Sequence, residues 1–260
     1  MDEGYRTAVV MDVTEIDVKT ALVRSGIEGV DYVINPYLGC GHGCRYCYAA
    51  FMTRYSHHHA GHRWGTFVEV KRNIVDVLRS ELSRKRKTGT VMMSSVCDPY
   101  QPVERQYRLT RQCVEALGEF GWGIDILTRS PLVTRDMDLL SCLSSVSVGI
   151  TISTDIDRVR KILEPKAPSI ESRFDAMKKL HDAGLDTWAF IGPMLPMNPR
   201  NLYEAIGPYV HNVLIDSLNY RDRVRGIFLK NNWGHALTDR YAHDTAGELI
   251  RMFGSRAARV

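Results

Sequence analysis

Along this chain, short apolar runs rich in β-branched residues alternate with longer segments whose apolar positions recur every three to four residues. The runs DYVINPY (31–37), TVMMSSV (90–96), GIDILT (123–128), VSVGITIS (146–153), DTWAFIG (186–192) and GIFL (226–229) each predict a strand. Between them, Val75, Leu78 and Leu82 share one helical face, as do Ile170, Phe174, Met177 and Leu180. The second of these helices has Ser169, after Pro168, as its N-cap and Gly184 as its stop. Such alternation predicts a parallel α/β architecture, and six strand–helix units suit either an open doubly wound sheet or an incomplete barrel. Residues 1–30 read as an N-terminal extension packed on one domain, 31–260, because no linker, repeat or low-complexity segment divides the chain.

The turn-rich polar clusters fall at regular places in this pattern. A cysteine-rich loop follows the first strand, SSVCDPYQPVE (94–104) the second, TRSP (128–131) the third, STD (153–155) the fourth and GPMLP (192–196) the fifth. In parallel α/β proteins the rim past the strands' C-terminal ends is where ligands bind. One composite site at that rim is therefore expected.

Composition narrows the chemistry. No apolar run reaches the roughly 18 to 20 residues that cross a membrane, and the first residues lack the basic and apolar regions of a signal peptide, so a cytoplasmic protein without a membrane partner is expected. Six cysteines in 260 residues are sparse for a disulfide scaffold, and in a reducing compartment a clustered trio points to metal binding or catalysis. The net charge of +4 permits an anionic partner without requiring one.

The trio is Cys40, Cys44 and Cys47, in NPYLGCGHGCRYCYA. A structural zinc site wants four ligands, so a zinc reading must recruit His42 or a downstream histidine. A cubic four-iron cluster suits the tight loop better, since three thiolates occupy three corners and leave one iron open. An open iron on a redox-active cluster can chelate a small molecule and pass it an electron.

This CxxxCxxC pattern, with Tyr46 just before its last cysteine, resembles the radical S-adenosylmethionine (SAM) superfamily. The segments NPYLGC, GHGCRYCYA, SSVCDPYQPVE, LTRSPLVTRDMDLL, ISTD and LEPKAPSIESR resemble its spore photoproduct lyase-like branch, also labelled DNA repair photolyase-like, over about 31–196. The resemblance implies a partial (β/α)6 TIM-like barrel and a [4Fe-4S] cluster held by Cys40, Cys44 and Cys47. It also implies S-adenosyl-L-methionine as the second cofactor, cleaved reductively to a 5′-deoxyadenosyl radical that abstracts hydrogen from substrate, and an electron donor such as flavodoxin or ferredoxin.

On the same resemblance, the backbone around Tyr46 lies near the adenine, and Ser94, Ser95, Cys97 and Asp98 are candidates for the methionyl amino group. Asp98 is the more physical choice for an ammonium, its plain alternative being a turn residue before Pro99. Arg129 is placed against the methionyl carboxylate, with a surface arginine as its alternative. Ser153 and Thr154 are candidates for the ribose hydroxyls, or else members of an ST-turn or cap. Cys97 is the candidate catalytic residue, a hydrogen donor in a register displaced from the branch pattern, with a small buried thiol as the equal alternative.

Other residues carry weaker expectations. Glu164 and Arg173 form an ion pair near the site or a purely structural one, and Glu104 is a lesser candidate. His42 tunes the cluster or is solvated. Cys113 and Cys142, in predicted helices, read as inert thiols. His57, His58, His59 and His62 suggest a second metal, but three consecutive side chains cannot all point inward from a regular element, so a polar loop covering the cluster is expected. The basic run 84–87 belongs on the opposite rim. Residues 220–241 offer Arg, Trp and Tyr for stacking on bases, or form a core strand with polar flanks. The expected function is radical SAM catalysis on a nucleic acid or nucleotide, the alternatives being a peptide or small metabolite, or a non-catalytic iron–sulfur or zinc redox protein.

Overall fold

The computed structural model describes residues 11–260. Its strands are β1 (Asp12–Ile16), β2 (Val23–Arg24), β3 (Tyr32–Ile34), β4 (Tyr37–Leu38), β5 (Phe67–Lys71), β6 (Thr90–Met93), β7 (Gly123–Thr128), β8 (Val146–Thr151), β9 (Asp186–Ile191), β10 (Asn212–Ile215) and β11 (Ala257–Arg259). The larger sheet runs β2-β3-β6-β7-β8-β9-β10-β11. From β3 to β11 every neighbouring pair is parallel, and only β2 at one edge is antiparallel. The sheet does not close on itself, and β3, β6, β7, β8, β9 and β10 are the six strands of a partial barrel.

The helices are α1 (Ile74–Leu82), α2 (Glu104–Tyr107), α3 (Leu109–Glu119), α4 (Met137–Leu140), α5 (Asp157–Leu163), α6 (Ile170–Asp182), α7 (Pro199–Ile206), α8 (Arg221–Lys230) and α9 (Asp239–Phe253). In α1, Ile74, Leu78 and Leu82 are buried while Val75 is half-buried, so the apolar stripe begins one residue earlier than its spacing suggested. Each such fully buried aliphatic side chain contributes about 1.5–3 kcal/mol. Ser169 caps α6 by accepting from Ser172 N, and Gly184, at φ +77°, ends it in a left-handed turn that returns Leu185 N to Leu180 O.

Strand periodicity builds the interior. In β7, Ile124, Ile126 and Thr128 are buried on one face, while Asp125 and Leu127, with Arg129 just beyond, line a concave cavity on the other. Trp188 and Phe190 of β9 and Leu214 of β10 line the same cavity.

The sixth strand is not where the sequence suggested. GIFL lies inside α8, because Val224 and Phe228, four apart, bury one helical face of RDRVRGIFLK, and β10 (NVLI) is the sixth parallel strand. The core-strand reading of 220–241 falls with it. The first predicted strand also divides at Asn35 and Pro36. Its second piece, β4, pairs antiparallel with β5 in a separate sheet of order β1-β5-β4. Part of the proposed 1–30 extension, residues 1–10, lies outside the described residues. The rest contributes β1 to the small sheet and β2 to the edge of the large one. No helix of the described residues is long and apolar enough to cross a membrane.

Candidate active site

The loop after β4 is held from several sides. Gln101, fully buried, accepts from Gly41 N at 2.7 Å and donates to Gly39 O at 3.1 Å. Arg45 N donates to Leu163 O at 2.9 Å, and Lys166 N donates to His42 O at 3.3 Å. Gly43, at φ +60°, faces Gly65, at φ +88°, so closely that a Cβ on Gly65 would stand 2.5 Å from Gly43 Cα. Thus braced, the loop presents Cys40, Cys44 and Cys47, all free thiols, to a single cavity of about 640 Å³. Burial pushes all three thiols above their ordinary value, Cys44 to about 12. Such thiols keep their protons until a metal displaces them.

The strand-end residues surround the same cavity. Ser94, Ser95, Cys97, Asp98 and Arg129 all line it. Ser94 sits at φ +67°, which turns the chain sharply after β6, and Asn35 Oδ1 accepts from Ser95 N and Val96 N to hold that turn. Cys97 Sγ donates to Ser94 Oγ at 3.4 Å, and burial raises the thiol to about 11, so it carries hydrogen at neutral pH. Asp98 is buried and committed to the protein. Its Oδ1 accepts from Tyr100 N, an Asx turn, and from Thr128 Oγ1 at 2.6 Å, while its Oδ2 accepts from Arg129 N at 2.8 Å. His42 Nδ1 stands 3.5 Å from the same Oδ2. Burial lowers the His42 pKa, against the pull of Asp98, so the ring is neutral at pH 7.

Arg129 closes the group. Its Nη2 donates to Tyr46 Oη at 3.4 Å and its Nε lies 3.5 Å from Glu164 Oε1 without hydrogen-bond geometry. Three buried nitrogens of residues that line the cavity, Arg129 Nε, His42 Nδ1 and Trp64 Nε1, have no hydrogen-bond partner among the described residues. Behind Arg129, the Tyr46 hydroxyl and Arg173 Nη2 both donate to Glu164. Burial alone would raise the Glu164 carboxyl, but Arg173 and Arg129 outweigh it and hold it at about 2. The Glu164–Arg173 pair of the sequence reading is thus formed, fully buried, and linked to the site through Tyr46 and Arg129.

Other candidates are placed differently. Ser153 and Thr154 are fully buried; their hydroxyls donate to Gly192 O and Pro196 O, and Thr154 Oγ1 also accepts from Ile156 N as an ST-turn. Neither lines the cavity, and Tyr46 lies behind its wall. Glu104 is a buried hub that accepts from Tyr37, Thr110 N and Arg135, also away from the cavity. Cys113 is buried in α3, and Cys142 is exposed in the turn after α4. The basic run 84–87 precedes β6, on the rim opposite the site, where Lys85 donates to the Tyr32 hydroxyl at 2.9 Å. Within 220–241, Trp233 packs on Phe228 and the Tyr241 hydroxyl donates to Leu195 O, so both are structural. Tyr220 and Arg223 are exposed, and Arg223 also donates to Cys47 O, which puts this end of α8 beside the cysteine loop.

Sequence reasoning missed Gln101, Asn35, Trp64 and Tyr48. Gln101 and Asn35 had a faint signal, being polar residues inside the turn-rich motifs. Tyr48 stood inside the cysteine motif, directly after Cys47, without being assigned a role, and Trp64 had no signal.

A model of the radical SAM superfamily matches residues 34–207. An uncharacterized protein of Methanocaldococcus jannaschii is 39% identical over 186 residues, which are 72% of this chain and 69% of that protein. Spore photoproduct lyase of Clostridium acetobutylicum is 26% identical over 212 residues, 78% of this chain and 57% of the lyase. The chain therefore spans little more than half of that lyase. A solved structure of spore photoproduct lyase complexed with dinucleoside spore photoproduct superposes with a TM-score of 0.63 at 15% identity, covering 95% of this chain and 81% of that one. The last comparison is a likeness of fold.

Proposed function

Because the chain belongs to the radical SAM superfamily, and is thus an enzyme of radical chemistry, we propose that Cys40, Cys44 and Cys47 hold a [4Fe-4S] cluster whose open iron takes S-adenosylmethionine. The observation that carries this reading is the convergence of three free thiols from one braced loop on a cavity that the Arg129 side chain also lines. That donor set fits the group: sulfur for iron at three corners, and Arg129 for a carboxylate. When bound, the cluster and cofactor together supply a 5′-deoxyadenosyl radical for hydrogen abstraction.

The remaining roles belong to the chain. Arg129, aimed by Tyr46 and Glu164 and tethered through its backbone by Asp98, orients the methionyl carboxylate. Asp98 acts as a positioning residue, since three of its roughly four acceptor sites already serve Thr128, Tyr100 and Arg129. Ser94 and Ser95 offer polar groups to the methionyl amine. Ser153 and Thr154 support the loop that faces the ribose rather than binding it by their hydroxyls. Cys97, a protonated thiol on the cavity wall, is suited to return a hydrogen atom to a substrate radical.

For the substrate, a nucleic acid or nucleotide is the favoured class. Exposed Tyr48 and Tyr220 flank the cysteine loop, with Arg223 4.7 Å over the Tyr220 ring, an arrangement suited to stacking on bases beside a phosphate. A relative of the chain is a spore photoproduct lyase. The protein would work in the reducing cytoplasm with a flavodoxin- or ferredoxin-type donor. The test is anaerobic reconstitution and reduction, followed by assay for 5′-deoxyadenosine and methionine. A loaded, reduced protein that cleaves no cofactor would overturn the reading, and products without any preference for oligonucleotide over peptide additives would remove the substrate class alone.

A further inference from the structure

A second group of metal-ligating side chains lies on the small sheet, outside the cysteine cavity. His59 is buried to 1% exposure, and its two ring nitrogens face two carboxylates: Nδ1 is 3.4 Å from Glu69 Oε1 and Nε2 is 3.3 Å from Asp12 Oδ2. His62, one turn on, brings Nδ1 to 3.9 Å from the same Asp12 oxygen. Donor atoms of Asp12, His59 and His62 all lie within 4.8 Å of one another. In a tetrahedral zinc site, with ligands about 2.0–2.1 Å from the metal, donors stand roughly 3.3 Å apart. The Asp12–His59 separation already has that value. The remainder can close by rotation of His62, whose side chain is 43% exposed.

Two further observations point to a cation. Glu69 is buried, yet among the described residues no Lys or Arg nitrogen lies within 4.0 Å of it or of Asp12; the ion-pair partners of these two carboxylates are histidines. Glu69 Oε1 is also fixed in place, accepting from Ser56 Oγ and His58 N while facing His59 Nδ1. A carboxylate on one imidazole nitrogen, with the other nitrogen directed at further ligands, is the outer-shell arrangement that orients zinc-binding histidines. Behind them, the Phe67 ring stacks on His59 at 4.8 Å and gives the group an apolar wall.

We propose that Asp12, His59 and His62 bind one zinc(II) ion, with Glu69 orienting His59, as a clip joining β1 to the 57–65 loop. Three protein ligands leave a fourth position, and Thr14 Oγ1, 3.4 Å from His59 Nε2, stands at the edge of that shell. The clip bears on the active site through packing: Phe67 is the residue that a Cβ on Gly39, at the start of the cysteine loop, would strike. It therefore stiffens the back of that loop, and its existence does not depend on what the cysteines hold.

The test titrates zinc(II) into the full chain, reconstituted anaerobically with iron and sulfide, and counts zinc and iron per chain alongside the thermal midpoint. One zinc per chain beyond the iron, with a zinc-dependent rise in Tm, is expected. His62→Ala and Asp12→Asn, both at exposed positions, each weaken zinc binding at least about tenfold and remove the rise while leaving iron content unchanged; Glu69→Gln weakens it about 10- to 100-fold with all three ligands present. Absence of zinc uptake by the wild type at micromolar concentrations, uptake only at the expense of iron, or wild-type zinc affinity in both His62→Ala and Asp12→Asn would each overturn the proposal.

Discussion

Replacing Glu164 by Gln tests how much the buried network behind Arg129 contributes to the fold. The amide can give its oxygen to Arg173 and its NH2 to Tyr46, whose hydroxyl then turns to Ser153, 3.2 Å away. Hydrogen bonds thus survive while the charge is lost, leaving the fully buried Arg173 guanidinium with neutral acceptors alone, the amide oxygen and the carbonyls of Thr151 and Pro168. Removing one partner of a buried pair costs about 3–5 kcal/mol. The Glu164 carboxyl offers a second route to the figure: held at about 2 against an ordinary 4.5, it corresponds to about 3 kcal/mol at 1.36 kcal/mol per tenfold change in proton affinity. The two agree in order of magnitude, and each is a large part of a typical total of about 5–15 kcal/mol.

The pH dependence follows from the sign of the shift. A carboxyl with a depressed folded-state pKa stabilises fully above its unfolded value, near 4.5, and the contribution fades as pH falls toward about 2. Urea unfolding of the metal-free chain should therefore show a gap of about 3 kcal/mol between wild type and Glu164→Gln at pH 7, narrowing below pH 4.5. For a chain of this length that gap is worth roughly 6–12 °C in Tm. A gap under about 1 kcal/mol at pH 7, the scale of a solvated surface pair, or one that stays constant down to pH 3, would refute the reasoning.

Four further substitutions probe the site. Cys44→Ala should abolish cluster loading, and a full four-iron complement in the variant would remove Cys44 from the ligand set. Arg129→Lys should weaken S-adenosylmethionine binding about 10- to 100-fold, because a point charge replaces a two-pronged donor, with the cluster's absorption unchanged; equal affinity by calorimetry would contradict the assignment. Cys97→Ala should leave 5′-deoxyadenosine release intact and alter the product spectrum, whereas unchanged products would make the thiol a packing residue. Gly65→Ala should destabilise the chain by about 2 kcal/mol or more, since it combines a left-handed φ with a Cβ 2.5 Å from Gly43 Cα; an unchanged urea midpoint would count against the close approach.

What the sequence revealed of the fold depended on whether a segment's own pattern decided its structure. GIDILT alternates cleanly and became β7 with the predicted bounds, and Ser169 and Gly184 bracket α6 by local capping chemistry alone. GIFL failed because four apolar residues fit either period. The arbiter lay upstream, where Val224 extends the pattern to a four-residue helical spacing. β10 was hidden for the complementary reason: its four residues have two buried positions, too few to distinguish them from the end of the preceding turn.

At the site, the same limit appears as a difference between residues that act alone and residues defined by a partner. The cysteine spacing is local and was readable at once. Asp98 was legible only as a carboxylate in the right neighbourhood; that its two oxygens accept from Thr128 and Arg129 depends on a strand thirty residues away. The histidines show the principle most sharply. HHHAGH argued against inward-pointing neighbours, and indeed only His59 of the three consecutive rings is buried. The carboxylates that make His59 interesting, Asp12 and Glu69, lie on β1 and β5, whose parallel pairing aligns Asp12 with Phe67. Neither strand was predicted. A metal-site geometry assembled across an unpredicted pair of strands has no sequence pattern to betray it, and so the reading of residues 57–62 as a polar loop covering the cluster was sound in keeping the three rings from all pointing inward, yet none of His57, His58, His59 and His62 lines the cysteine cavity, and what the sheet brings within reach was out of its sight.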